Sequence, residues 1–420
     1  MANRRKRLGK KLNGVYSYLW RKLFNPNSFI VTLLIFVFLW VFHLVQVNMH
    51  FLDPFNYGIR DYQITDIIYS QFRDPGQIRL IDEVVLVNSD LMPRDSLPLL
   101  LRRLRQLGPK VIGLDILLED QGDDEVIDSL LRAEIRQTPN LVLAGALGPY
   151  IDSLQRFPPL AGCHPYFREA AANMGYINFV SKDTSTIRLF SPQEKTTDGV
   201  VRSFAVKIAT LYDPSKVTRL LRRQNKVESI NYAGDRDFFV KIQPFQLFDD
   251  EYFQLLLDRD MLKDRIALVG FVGSHAPGER EIDRFFTPLN RHYSGKTYPD
   301  MYGVVIHANI IDMILREEYI FQVPHWLTEF LVWIYCYFNV LIIHRIYRKL
   351  PETFHGVTRL MQITEFVVIF FVIAFLFYYF RIKIDFSKGI LAMVLAYDFV
   401  MIYESMLKKK FKFLQNLPEK

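Results

Sequence analysis

Cysteine is almost missing from this 420-residue chain, which has two. Cys336 lies inside an apolar run and Cys163 stands alone in the large central segment. No disulfide can form within that segment, so it must fold on its core alone. Cys163 reads as a buried free thiol, the commonest state of a lone cysteine. Phosphate-binding signatures are missing as well. The stretch GFVGSHAPG at 270–278 lacks the Gly-Lys-Ser/Thr ending and does not meet the dinucleotide fingerprint. Ser191, Ser203 and Ser274 have no nucleophile-elbow context, and no two carboxylates share a predicted face with the reach hydrolysis needs. Metal spacing is also lacking. His275, His292 and His307 fit no helical pair, and His307 shares a predicted helix face with Ile310, Ile311 and Ile314, as a hydrogen-bonded core histidine would. From these absences we expect no metal, no cofactor and no enzymatic activity. There is no internal repeat and no low-complexity linker.

What the chain does have is four apolar runs, at 29–47, 327–346, 363–380 and 390–407, each about as long as one membrane span. A cleaved signal peptide fits poorly at the start, because the first run is long and no small-residue cleavage site follows it. Residues 1–47 carry eight basic and no acidic side chains. The loop after the second run holds Arg345, Arg348, Lys349 and Arg359, and the tail 408–420 holds Lys408, Lys409, Lys410 and Lys412. Positive charge stays on the cytoplasmic side. All three segments obey that rule if both termini are cytoplasmic and 48–326 lies outside. The short loop 381–389 then faces outward in spite of Arg381, Lys383 and Lys388, one dissenting signal against three.

Residues 48–326 carry 32 basic and 38 acidic side chains. A slightly acidic domain offers no basic face, so nucleic acid is not an expected partner. The basic excess sits beside the apolar runs, where it meets anionic membrane lipid. Asp398 lies deepest in an apolar run, with Glu329, Glu365 and Glu404 in or near the same group of runs. A charge at that depth is costly, so Asp398 is expected to face the bundle or a partner and to be paired or protonated.

The central segment alternates short apolar runs with helical patterns. Residues 51–75 read as a lead helix, 84–87 and 111–114 as strands, and 97–107 as the helix between them, with Pro98 in its first turn and Gly108-Pro109 after it. A helix at 124–136 and strands at 141–144 and 176–179 follow. Residues 203–212 and 245–257 read as helices, 238–242 and 265–269 as strands, and 303–316 as the last helix. Such alternation predicts an α/β domain with a mostly parallel sheet. Ligands in such sheets sit beyond the carboxyl ends of the strands. Asp90, Asp115, Gly270 and Gly273 fall there, and a crevice of two carboxylates and glycine-freed amides suits a small polar ligand. The plainer reading makes the aspartates caps and the glycines a turn. Asp283 in DRFFTP and Arg202 after the Asp198-Gly199 turn are further candidates, weighed against structural pairing.

Seven pieces occur in order: TDIIYS at 65–70, KVIGLDILL at 110–118, MGYIN at 174–178, DGVVR at 198–202, IALVG at 266–270, Asp283 with FTPL at 286–289, and YGVVIHANII at 302–311. In these the chain resembles the CHASE type-two domain, a sensing extracellular domain associated with cyclases and histidine kinases. The resemblance spans roughly 50–320 and extends to the layout, one span before the domain and three after. It implies an extracytoplasmic sensor in the bacterial inner membrane, the domain on the periplasmic side. Relatives carry an output enzyme after the last span, but only 408–420 follow it here, too few for one. Residues 181–197 are longer than the family's pattern. The expectation is a membrane receptor that detects an envelope or external signal and passes it to a separate protein, a signalling enzyme or envelope-complex subunit. The rival is a non-catalytic scaffold or accessory subunit of an envelope complex. The ligand, the downstream partner and the oligomeric state, a homo-oligomer included, stay open.

Overall fold

The computed structural model describes residues 25–48, 64–72, 80–90, 92–180, 186–273, 283–290 and 299–417. They group into two units, one within Asp61–Ile320 and the other built from the segments on either side of it.

The first unit is a six-stranded sheet between two helical layers. Its strands are β1 (Ile81–Asn88), β2 (Val111–Leu114), β3 (Leu141–Gly145), β4 (Asn173–Tyr176), β5 (Phe239–Ile242) and β6 (Ile266–Gly270). All adjacent pairs are parallel, in the order β4-β3-β2-β6-β1-β5. Parallel strands need helical crossovers, and helices on both faces bury both sides. Hence VVLV, VIGL and IALVG are continuous apolar runs. On one face Val84, Leu86, Val142, Ala144 and Leu268 pack against α4 (Phe204–Tyr212), α5 (Pro214–Arg222) and α7 (Gly303–Arg316). On the other, Val85, Val87, Ile112, Leu143 and Val269 pack against α2 (Leu97–Gln106), α3 (Glu125–Arg136) and α6 (Asp250–Asp258). A further helix, α1 (Ile64–Gln71), is tied to the domain through Asp66, whose carboxylate receives Nε and Nη2 of Arg188 at 2.9 and 2.5 Å.

Caps set the helix starts. Asp124 accepts from the N–H groups of Val126 and Ile127, Ser203 from Val206, and Asp249 from Glu251 and Tyr252. Two expectations need correction and two elements were not expected. The strand placed at 176–179 ends at Tyr176, which frees 177–179 for the loop. The helix placed at 245–257 is two, Pro244–Phe248 and α6, parted where Asp249 caps the second. The turn read at Asp198-Gly199 is the tip of a hairpin, and 199–202, given no element from the sequence, is a strand pairing antiparallel with Gln193–Thr196. Helix α5 was not expected; Asp213 and Pro214 start it directly after α4. The lead helix is described only as α1 and Phe72, and the rest of 51–75 lies outside the described residues, as do Ser274, His275 and His292.

Among its described residues the second unit holds four helices of membrane-spanning length, Pro26–Asn48, His325–Lys349, Phe354–Phe380, and Ser387–Ile402 continuing through a π-helical turn at Tyr403–Leu407. One precedes the α/β unit and three follow it. Val31, Ile35, Cys336, Val340, Ile343, Ala392, Ala396 and Val400 form their shared core. Outward faces stay apolar, as lipid contact requires, with Trp40, Phe371 and Phe375 exposed.

Candidate functional site

A cavity of about 940 Å³ opens at the carboxyl ends of the strands. Five of its lining residues are each the first residue after a strand: Ser89 after β1, Asp115 after β2, Ala146 after β3, Ile177 after β4 and Phe271 after β6. This is where an open parallel sheet leaves room, because each chain must turn away into its crossover. Among the described residues the rest of the wall includes Asn178 and Phe179, the segment Asp283–Phe286, and Gly303 and His307 of α7, with aliphatic side chains such as Leu117 and Ile187 between them.

Backbone and side-chain bonds hold the rim. Ser89 N donates to Gly270 O at 2.9 Å and Asp115 N to Val269 O at 2.8 Å. Asn88 ties three strand ends together. Its Oδ1 accepts from Val272 N and Asp90 N, and its Nδ2 donates to Gly273 O and to Oε1 of Gln243, the residue after β5. Gly270 has no room for a side chain, since a Cβ would come within 2.8 Å of Val304 and 3.3 Å of the Asp115 Cβ. Gly303 is similar, because a Cβ there would lie 2.9 Å from Oδ2 of Asp283. The Asp283 carboxylate thus rests on the first turn of α7, and Asp283 adopts left-handed backbone (φ 55°) to reach it. Negative charge is favourable at that end of a helix.

The polar groups on this wall are perturbed. Burial, with the charge of Asp283 adding to it, pushes the Asp115 carboxyl up to about 8. Burial raises Asp283 to about 6 against the opposing effect of the Gly303 N–H. His307 is 3% exposed, and burial holds its imidazole down to about 3, so it is neutral at ordinary pH. Its ring stacks on Phe179 at 4.7 Å and meets the Phe204 edge at 5.3 Å. Among the described residues its Nδ1 has no hydrogen-bond partner, so the expectation of a hydrogen-bonded core histidine is not met at that atom. Arg284 is committed to Tyr302, donating from Nη2 to the hydroxyl at 2.6 Å and lying over the ring at 4.7 Å. Asn178 exchanges hydrogen bonds with the backbone of Leu147 through Oδ1 and Nδ2.

Of the six candidates from the sequence, Asp115 and Asp283 meet on the cavity wall, and Gly270 lies against Asp115. Asp90 and Gly273 belong to the loops that Asn88 ties and do not line the cavity. Arg202 is also off the wall; its Nη1 donates to Thr210 Oγ1 at 2.9 Å, a hydroxyl and not the acid weighed as its structural partner. Ser203 is a helix cap and Ser191 bonds the carbonyls of Gln193 and Lys226. Cys163 is buried and carries no disulfide, as expected. Sequence reasoning passed over Asn88, Asn178 and Phe179. Their one signal was position, directly at or after a strand end.

The membrane-length helices have polar contacts of their own. Asp398 is half-exposed, and its Oδ1 lies 3.7 Å from Nη2 of Arg359 on the neighbouring helix, so it is paired but not inward-facing. A deeper cluster was not foreseen. Ser28 Oγ and His344 Nδ1 are 2.9 Å apart, His344 Nε2 is 3.5 Å from Glu404, and Glu404 meets Lys408 at 3.3 Å. Glu404 lies in the π-helical turn, the kind of irregularity that re-aims side chains.

The fold and cavity together define a class, a multi-pass membrane protein carrying an α/β sandwich with a ligand-sized pocket at its strand ends. The family model for the CHASE2 domain, a sensing extracellular domain, matches residues 31–343, and the chain belongs to that family. No curated protein and no solved structure matches the chain.

Proposed function

We propose that the chain is a non-catalytic sensor of the bacterial inner membrane, its α/β unit on the periplasmic side and residues 1–28 and 408–420 in the cytoplasm. Ligand enters the strand-end cavity and biases the domain between two states. A separate protein, a signalling enzyme or a subunit of an envelope complex, receives the change through the membrane helices. The observation that carries this reading is the cavity itself, formed by the first residue after each of five parallel strands and holding two carboxylates, in a chain of a sensory family. Charge placement supports the orientation, with eight basic and no acidic side chains in 1–47. Helix α7 contributes Gly303 and His307 to the wall, and residues 317–324 alone separate it from the second span. A ligand moves such an equilibrium only by its difference in affinity for the two states.

Crosslinking of the tagged full-length protein in native membranes, followed by mass spectrometry, tests the relay. A kinase or cyclase joined near Lys408–Lys410 or Asp398 is the expected result. Envelope-complex subunits joined only to the α/β unit, with no signalling enzyme, would replace the receptor by a scaffold.

A further inference from the structure

The cavity's polar groups specify what it can hold. Among the described residues, neither Asp115 nor Asp283 forms an ion pair, while both face the same space. The arginine on the wall, Arg284, is turned to Tyr302. His307 is nine-tenths buried or more, lines the cavity and, among the described residues, leaves Nδ1 without a partner. Buried polar groups without partners are costly, and their cost falls when a ligand supplies the missing bond. Among the described residues the rest of the wall is mostly apolar, with Phe179, Phe271, Phe285 and Phe286 presenting rings, beside Ser89 and an Asn178 amide engaged by the Leu147 backbone.

Resting on the sensor reading above, we propose that this cavity binds a small organic cation, a protonated amine on an aromatic or aliphatic body. Asp283 is the charge partner, and Asp115 and His307 complete the polar wall. Three ligand classes compete for such a space. An anion would seek the first turn of α7, but the Asp283 carboxylate already occupies that position. Calcium and magnesium take six or more oxygen ligands, or keep several waters, and among the described residues the wall sets only the carboxylates of Asp115 and Asp283 and the polar atoms of Ser89 and Asn178 among rings and aliphatic side chains. An organic ammonium needs only one or two carboxylates and gains from aromatic faces around it. The cavity's volume, about 940 Å³, lies at the upper end of the range for small-ligand pockets. A body of one or two rings therefore fits beside the amine.

The test uses the full-length protein in lipid nanodiscs and isothermal titration. The amine probes are phenethylamine, tryptamine and hexylamine. The matched controls are phenylacetate and 2-phenylethanol, which keep the body and change the charge, and calcium chloride. At least one amine is expected to bind at least tenfold more tightly than the controls. Asp283→Asn is expected to weaken that binding at least tenfold, and Asp152→Asn, at an exposed turn, to leave it unchanged. Melting of the unliganded variants verifies folding, and Asp115→Asn serves as the second variant if Asp283→Asn does not fold. The proposal is overturned if no amine binds, if the anion or alcohol binds as well, if calcium alone binds through Asp283, or if neither aspartate variant alters binding. The relay is read separately. Amine binding can fail while the crosslinked signalling enzyme is still recovered, which sinks the ligand class alone. If amines bind and no enzyme is recovered, the relay falls and the site stands.

Discussion

At the scale of single residues, Asp115 and His307 make opposite contributions to stability. Asp115 is raised by burial and by Asp283, so the folded domain holds a proton that the unfolded chain releases near pH 4. Folding then binds protons between about 4 and about 8, and stability contributed by this group falls as pH rises through that window. His307 faces the same cavity but is lowered to about 3, so its contribution grows as pH rises from about 3 towards its unfolded value near 6.5. Asp115→Asn should therefore raise the melting temperature more at pH 8 than at pH 5. The expected difference is roughly 3–6 °C, the size of one to two kcal/mol in a domain of this length. Equal shifts at both pH values would show that Asp115 is ionised in the fold. Gly303→Ala probes the same corner by bulk. The added Cβ would sit 2.9 Å from Asp283 Oδ2, so the carboxylate or the helix start must move, at about 1–3 kcal/mol in a denaturant titration.

At the scale of elements, two contacts explain stretches whose pattern alone was mute. TDIIYS forms α1, and Asp66 in it makes a two-pronged pair with Arg188, with 2% and 11% of the side chains exposed. Removing one side of a pair this buried takes away the charge that offsets the other's desolvation. Asp66→Ala should cost about 3–5 kcal/mol by chemical unfolding, well above the usual effect of losing an exposed ion pair. YGVVIHANII forms the start of α7, which is buried all round from Gly303 to Ile314. Asn309 there uses both ends of its amide. Its Oδ1 accepts from the N–H groups of Ala233 and Gly234, and its Nδ2 donates to Gly234 O and Val305 O. Asn309→Leu keeps the volume and loses all four bonds. It should destabilise the domain by about 2–4 kcal/mol, measured the same way. A helix face could be read from the spacing of its isoleucines, and the parallel sheet from its continuous apolar strands. The partners of Asp66 and Asn309 could not, because they lie across 122 and 75 residues of chain. The cavity shows the same division. Asp115 was legible as a strand-end carboxylate and Asp283 as a loop candidate, whereas their meeting was not, because it depends on the left-handed backbone of Asp283 and its close approach to Gly303. Arg202, attractive as a charge after a turn, was already spent on Thr210.

At the scale of the whole molecule, the proposed orientation can be read with a thiol reagent. Both native cysteines are buried, which leaves a clean background. An impermeant maleimide applied to intact cells should label Asp385→Cys, in the loop after the third span, and spare Glu352→Cys, in the loop before it; the opposite pattern would invert the protein. Loop 381–389 had been the dissenting signal. In the folded chain part of its charge is answered, since Lys388 pairs with Glu329, which also lies 3.4 Å from His325.

That loop has a mechanical consequence. The chain leaves the α/β unit at Ile320, and Phe321–Gln322 at once pairs in parallel with Ile382–Lys383. Phe321 N donates to Arg381 O and Val323 N to Lys383 O. Tension arriving along the backbone at this point is therefore shared. Part runs on through Pro324 into the second span, and part is diverted sideways through two hydrogen bonds into the hinge between the third and fourth. A pull on one strand of peptide becomes a load on three helices, which is the behaviour of a yoke and not of a tether.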